Sequence, residues 1–310
     1  MSETALGTRA VVIGSGIAGL LSARSLSPFF NELVLIDRDR MPETPSTRAG
    51  LPQGNHFHAL LPGGLEIVER LFPGLTKTLA TRGAIPTVGG RDFYFFQPQG
   101  LSYSLGSFVP DPTDGPLFYI QTRGLLEFCI RERVEEIPNV QVEYETTVRN
   151  PICQSDRIVG VVAEHAKEQR QIDADLVIDA AGRGSRMQQW LTQTGCQVPD
   201  ESVVNCDFAY TSVFVSPNDF DAFEGSGFFV FPDPDGKHPL RGSALVKMEN
   251  GIWLASCGGR HGDYPPRDWE GMLKWLRTQS NRKVLDLIAD AKPVADPAHF
   301  RFPSGRRRHY

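Results

Sequence analysis

One stretch near the amino terminus constrains this chain more than any other. Arg9–Ile13 (RAVVI) is a short β-branched run, the pattern of a buried parallel strand. It leads directly into Gly14-Ser15-Gly16-Ile17-Ala18-Gly19. Behind those glycines, Leu20, Ala23 and Leu26 repeat at helical spacing on one face. A second apolar run, Leu33–Ile36, ends at Asp37, eighteen residues after Gly19. Strand, glycine turn, helix, strand and acid in that order predict a βαβ unit with a parallel sheet.

Each residue of the unit has a physical task. Gly14 permits the tight turn, Gly16 lets the backbone approach a diphosphate, and Gly19 lets helix and strand pack closely. The free N–H groups at the helix start, around Ile17 and Ala18, attract the diphosphate. Asp37 can accept hydrogen bonds from both hydroxyls of an adenosine ribose, and its charge argues against a 2′-phosphate there. The spacing therefore points to NAD or FAD rather than NADP at this site, with an unliganded doubly wound unit as the plain alternative.

Composition narrows the classes further. The chain has 310 residues, 40% of them hydrophobic, with 30 glycines, and this is ordinary globular composition. A disordered, collagen-like or disulfide-scaffold protein is excluded, and the length suggests about two domains. Lys and Arg number 32 against 37 acidic residues, so no global basic field exists to hold nucleic acid. The basic tail GRRRHY (305–310) reads as a solvated connector. Five scattered cysteines without CxxC spacing read as reduced thiols of a cytoplasmic protein. No signal-peptide pattern opens the chain, and no run reaches the roughly 18 apolar residues of a membrane-spanning helix. Peripheral membrane contact stays open.

The next segment separates the two dinucleotides. Arg38 follows the acid, and then comes STRAGLPQGNHFHALLPGGLEIVERLFPGL (46–75). Acid–Arg, then Arg48-Ala49-Gly50, then a helix resembles FAD-dependent monooxygenases of the p-hydroxybenzoate hydroxylase fold. The longer string with His56-Phe57-His58 is more similar to the squalene-epoxidase-like branch, which includes bacterial polyether epoxidases. IQTRGLLEFCIRERV (120–134) resembles the family helix whose leading Arg, here Arg123, lies near FAD. VQVEYETTVRN (140–150) resembles the strand whose backbone near Val148 meets the adenine, and ADLVIDAAGRGSRMQQWL (174–191), with Gly182, takes the place of the family's Asp-Gly fingerprint. GRHGDYPPRDWEGMLKWL (259–276) and FRFPSGRRRHY (300–310) are also similar to that branch.

Two departures accompany the resemblance. Ala181-Gly182 replaces Asp-Gly, with Asp179 two places earlier, which puts the usual capture of NADPH in doubt. The family's second FAD motif, a Gly-Asp followed by Pro and a Gly-rich helix start, is absent from these 310 residues.

The fold class expected is α/β. A Rossmann-type FAD-binding domain (1–85 plus 106–200) interleaves with a β-rich α+β substrate domain (86–105 plus 201–310) that is incomplete at its carboxy end. Helices are predicted near Leu65–Phe72, over Leu125–Val134, over Trp269–Arg277 with Asp268 as N-cap, and over Val284–Ala289. Asp92–Phe96 and Leu101–Leu105 are β-like. Val140–Tyr144, Ile158–Val162 and Gln171–Ile172 read as a meander, and Leu176–Ile178 as a buried strand. Phe208–Val215, Gly227–Phe231, Ala244–Val246 and Ile252–Ser256 complete the β-rich part.

The candidate cofactor residues are Gly14, Gly16, Ile17, Ala18, Gly19, Asp37, Arg38, Arg48, Arg123, Val148 and Gly182. Arg48 would pair with the FAD diphosphate through two parallel hydrogen bonds, against the plainer reading of a surface Arg. His56 and His58 at i, i+2 lack a third ligand and make poor zinc geometry, so no metal is expected. The aromatic residues of 92–119 and 208–231 would line a hydrophobic substrate pocket or simply pack. No catalytic side chain is nominated, because the resemblance implies that reduced flavin and O₂ form a C4a-hydroperoxide and the cofactor carries the hard step.

Three functional expectations follow. The first is an FAD-dependent monooxygenase, hydroxylase or epoxidase, acting on a hydrophobic small molecule with NADH or NADPH as transient reductant. The second is an FAD-dependent isoprenoid reductase of the geranylgeranyl type. The third is a truncated or split FAD-binding portion, catalytically incompetent without a complementing carboxy-terminal segment.

Overall fold

In the computed structural model of the chain, the described residues are 5–48, 50–89, 91–98, 100–101, 118–155, 157–216 and 223–309. The opening unit forms as its pattern predicts. Strand β1 (Gly7–Ile13) runs into helix α1 (Ile17–Leu26), and β2 (Phe30–Ile36) lies parallel beside β1. Strands β12 (Leu176–Asp179) and β8 (Val140–Glu143) flank this pair, giving a four-stranded parallel sheet in the order β12-β1-β2-β8. One face carries Ala10, Val12, Leu33 and Leu35 against α1 and helix α4 (Arg123–Glu135). The other carries Val11, Ile13, Val34 and Ile36 against the meander described next. Both faces are thus apolar, as parallel strands require.

Val140–Tyr144 corrects the sequence expectation. It is the edge strand of the parallel sheet, in register with Leu33–Ile36, and takes no part in the meander. The stretch 140–150 is two strands, broken where Glu145 adopts φ 53°. The meander is β9 (Thr146–Gln154), β10 (Arg157–His165) and β11 (Glu168–Asp173), all antiparallel. A polar-edged parallel strand of four residues has the same pattern as a meander strand, so spacing alone could not separate them.

The β-rich part forms one large sheet. Its order is β18 (Lys292–Pro293), β14 (Phe208–Ser216), β17 (Trp253–Arg260), β16 (Gly242–Lys247), β15 (Gly227–Val230), β5 (Phe93–Gln97) and β6 (Gly100–Leu101), with β19 (Ala298–Phe302) also paired to β14. Residues 102–105 of the predicted strand lie outside the described residues. One face packs Val213, Leu245, Ala255 and Phe228 on helices α6 (Trp269–Leu276) and α7 (Lys283–Ile288). Asp268 caps α6 by accepting from the Gly271 N–H at 2.8 Å. The inward residues of α6 are Met272, Trp275 and Leu276, while Trp269 and Leu273 are half-buried.

Smaller elements join the two sheets. Strands β3 (Ala59–Leu60), β7 (Phe118–Ile120) and β4 (Ile85–Thr87) make a short sheet beside helices α2 (Pro62–Leu71) and α3 (Leu75–Thr81). Helix α5 (Met187–Thr194) follows the end of β12, and Trp190 buries against the meander side of the core. The tail is no solvated connector: β20 (Gly305–His309) pairs with β13 (Asp200–Val204), and Arg306 and Arg308 both face Glu201. All five cysteines are free, and Cys129 and Cys257 are buried. No helix among the described residues is long and apolar enough to cross a membrane.

The crossing of α1 over the β1 turn leaves no room for a methyl group. A Cβ at Gly19 would sit 1.7 Å from the Gly14 carbonyl oxygen, and one at Gly14 would sit 2.8 Å from the Ala180 carbonyl, at φ +95°. Both obstacles are backbone and cannot rotate away. We expect Gly19→Ala to cost about 3 kcal/mol in denaturant unfolding, at the upper end of ordinary overpacking. A loss under 0.5 kcal/mol would mean that the turn is not closed as described.

Candidate functional site

The glycine turn stands at the carboxy ends of β1 and β12, where Gly14 N–H donates to the Ile36 carbonyl at 2.7 Å and Ala180 N–H to the Ile13 carbonyl at 2.8 Å. Gly16 caps α1 with extended backbone, at φ −68° and ψ 178°. Whereas Gly14 and Gly19 are crowded, a Cβ at Gly16 would meet nothing within 4 Å among the described residues. Ile17 is half-buried and Ala18 exposed, so the first turn of the helix presents its N–H groups outward. A helix start of this kind suits an anion, and no described residue fills the space beside Gly16.

Asp37 is buried and already engaged. One oxygen accepts from the Ser15 N–H at 2.6 Å and the Ser15 hydroxyl at 2.8 Å. The other accepts from the Asp39 N–H at 2.9 Å and faces Arg48 at 3.5 Å. An ionised carboxylate offers about four lone-pair sites, and all four have partners. A ribose could reach Asp37 only by exchanging with these donors, the long Arg48 contact first.

Arg48 is no surface residue either. Its guanidinium meets Asp39 at 2.5 Å and Glu127 of α4 at 2.8 Å, besides Asp37. Burial opposes its charge, yet Glu127 and Asp37 outweigh this and hold Arg48 above the ordinary arginine value. Arg123 faces the other Glu127 oxygen at 3.6 Å; burial lowers its pKa, Glu127 offsets part of that, and Arg48 repels it. Its Nε, the second Glu127 oxygen and both side-chain atoms of Gln121 are buried without a hydrogen-bond partner among the described residues. Such orphaned groups are rare in folded proteins and point to a polar ligand or ordered water. An open groove of about 380 Å³ lies alongside, lined by Arg40, Met41, Pro42, Glu43, Thr47 and Arg48.

The remaining predicted residues spread around this centre. Gly182, at φ +65°, is exposed after β12, and its neighbour Ala181 packs against Gly14. Asp179 folds that loop by accepting from the Ala181 N–H at 2.9 Å and from the Ser185 hydroxyl. Val148 is a core residue on the meander side of the sheet. Arg38 points away, with 68% of its side chain exposed and only a 3.9 Å approach to Asp39. Glu127, Asp39, Ser15 and Gln121 were not foreseen. Glu127 alone carried a sequence signal, four residues after Arg123 on one helix face.

A second polar centre lies where the loop after Arg48 crosses the large sheet. His56 is buried, with Nδ1 2.9 Å from the Ser212 hydroxyl, which lies 2.6 Å from that of Ser256. Its ring stands edge-on to Tyr210 at 4.4 Å. His58 Nδ1 is 3.0 Å from the His56 carbonyl. Phe57, between them, packs on Phe229 at 5.1 Å and Phe93 at 6.5 Å. Burial pushes His56 down to about 4, with His58 and His299 adding to the effect. Among the described residues, no group of three or more His, Cys, Asp or Glu is placed to hold a metal ion.

No family model matches the chain. It is 32% identical over 311 aligned residues to Protein Rv3254 of Mycobacterium tuberculosis, covering 97% of this chain and 64% of that protein's length. Among solved structures, it superposes on a flavoprotein/dehydrogenase from Cytophaga hutchinsonii with a TM-score of 0.71 at 15% identity, over 95% of this chain and 66% of the other. The flavin-dependent brominase Bmp2 gives 0.69 at 14% identity, over 97% and 68%. p-Nitrophenol 4-monooxygenase PnpA from Pseudomonas putida DLL-E4 gives 0.62 at 16% identity, over 97% and 68%. The fold is that of flavoprotein monooxygenases and halogenases.

Two outcomes test the site's electrostatics. Glu127→Ala leaves the buried Arg48 with fewer counter-charges, and we expect a loss of about 3 kcal/mol in chemical denaturation. For His56, the unfolded chain binds a proton near the ordinary pKa of about 6.5 while the folded chain resists it down to about 4. Stability from this group is therefore complete above about pH 6.5 and falls as pH drops towards 4, by on the order of 3 kcal/mol in all. His56→Gln should flatten that part of the stability–pH curve; an unchanged slope would place the titration elsewhere.

Proposed function

We propose that this chain binds FAD at the glycine turn and forms the flavin-carrying part of a monooxygenase acting on a hydrophobic small molecule. The observation that carries this reading is the contrast within one turn. Gly14 and Gly19 are closed by backbone, whereas Gly16, at the start of α1, meets nothing among the described residues. That arrangement suits a diphosphate. The buried orphan atoms of Gln121 and Arg123 suit a polar ligand reaching from the turn towards α4. When bound, the flavin supplies electron transfer from NADH or NADPH and the activation of O₂.

The chain's own residues would do the rest. Backbone N–H groups at Ile17 and Ala18 hold the diphosphate, and Arg48 and Arg123 balance its charge. The strap over the sheet, with Phe57 on Phe229 and Phe93, keeps water from the apolar face. The resemblance of the 46–75 segment favours the squalene-epoxidase-like, polyether-epoxidase-like branch, and hence hydroxylation or epoxidation. The monooxygenase named among the structural neighbours supports oxygen chemistry over the alternative of isoprenoid reduction.

The first test is the absorption spectrum of the 310-residue protein after incubation with FAD and desalting. Bands near about 370 and 450 nm are expected, the signature of a retained flavin. Gly16→Ala should stay folded, losing about 1 kcal/mol at most as a poorer N-cap, since its methyl meets no atom of the described residues, yet lose those bands. A folded wild type that stays colourless would overturn flavin binding by these residues. NAD(P)H-dependent oxygen uptake with an apolar substrate then separates oxygenation from reduction.

A further inference from the structure

The large sheet has a second face, opposite α6 and α7. Pairing registers set Ala298, Ser212, Ser256, Ala244, Phe229 and Phe95 in one row across β19, β14, β17, β16, β15 and β5. The two ends of the row differ in chemistry. At one end the Phe95 and Phe231 rings stack at 6.0 Å, Phe95 and Phe229 are half-buried, and Phe231 is 41% exposed. At the other end Ser212 is buried, bridging His56 Nδ1 and the half-buried Ser256 hydroxyl.

Two adjacent hydroxyls are costly in such a row unless they are hydrogen-bonded. Ser212 is served on both sides, by His56 and by Ser256. Ser256 has one such partner in Ser212. A hydroxyl offers one donor and two lone pairs, so the half-buried Ser256 keeps capacity for one more oxygen. The chain His56–Ser212–Ser256 thus leads from a buried imidazole to a half-buried serine in the same row as the aromatic rings.

We propose that Ser256, oriented by Ser212 and His56, is the polar anchor of the substrate face, selecting an apolar molecule that carries one hydrogen-bonding oxygen at its end. This rests on the reading that a hydrophobic small molecule is the substrate. The anchor works by hydrogen bonding and does not take the proton. Burial holds the His56 imidazole down at about 4, which makes it a poor base for a neutral hydroxyl. The surroundings reinforce this. His58 and His299 both disfavour a charged His56, Arg123 does the same to His58, Arg267 to His299, and the Tyr210 ring closes the remaining side. His56 is therefore a positioning residue.

Two probes of nearly equal apolar area separate the anchor from simple hydrophobic contact. 2-Naphthol carries one hydroxyl, and 2-methylnaphthalene carries none. In equilibrium titrations the wild-type chain should prefer 2-naphthol by about three- to tenfold, the span of one net hydrogen bond. Ser256→Ala should abolish that preference while leaving 2-methylnaphthalene affinity unchanged, which also reports an intact face. Ser212→Ala, which removes the support, should reduce it. No preference in the wild type, equal losses for both probes, or an undiminished preference in both variants would overturn the anchor. Flavin absorbance in the same samples keeps the readings apart: retained flavin without discrimination sinks the anchor alone, and discrimination without flavin sinks the flavin reading alone.

Discussion

The buried guanidinium of Arg48 is the contact on which most of the rest depends. It joins Asp37 and Asp39 after β2 to Glu127 on α4. Among its described residues, the segment between Asp37 and β3 has no regular element except one short turn over Pro52–Asn55. Its own backbone offers short local turns, such as Gly54 N–H to the Leu51 carbonyl at 2.8 Å, which shape the stretch without tying it to the rest of the molecule. Arg48 supplies the cohesion from inside. Once it is held, Gly50 N–H can donate to Asp39 at 2.9 Å, and the chain arrives at His56 and Phe57 in position to cross the large sheet.

A second tie acts from the opposite side. The buried Glu249, in the turn between β16 and β17, accepts from the Thr122 N–H at 2.9 Å and from the Thr122 hydroxyl. Thr122 in turn caps α4, accepting from the Leu125 N–H at 3.1 Å. The helix that carries Glu127 and Arg123 is thereby anchored to the large sheet at its amino-terminal end. Neither tie is a cheap surface pair, since removing one partner leaves a buried polar group exposed to its full desolvation cost. The Thr122–Glu249 pair ties α4 to the large sheet, while the hydrophobic clusters pack both within the sheets and between them.

What could be read from the sequence follows the distance over which each signal acts. The glycine turn, α1 and Asp37 are local, and their periodicities change within a few residues, so their places were legible. The Asp268 cap and α6 were legible for the same reason. Val140–Tyr144 was placed in the wrong sheet, because a four-residue strand shows its pattern but not its partner. The ion pairs among Asp37, Asp39, Arg48 and Glu127 were not legible, because charges that suit an anion or ribose also suit each other and spacing cannot weigh the two. His56 and Ser212 lie 156 residues apart. No pattern in either segment announces that contact.

The same network bears on how a nucleotide could enter without loosening the strap. Of the Arg48 contacts, the one to Asp37 is the longest at 3.5 Å, against 2.5 Å to Asp39 and 2.8 Å to Glu127. Charge-assisted hydrogen bonds weaken steeply at such lengths, so a ribose hydroxyl can replace Arg48 at Asp37 with small loss. The two short contacts then still hold the guanidinium, and with it the course of the loop to His56. Asp37 faces the glycine turn through Ser15, and Glu127 faces Arg123. The division lets one carboxylate exchange partners while the other two keep the loop fixed, so the geometry over the large sheet does not depend on what occupies the turn.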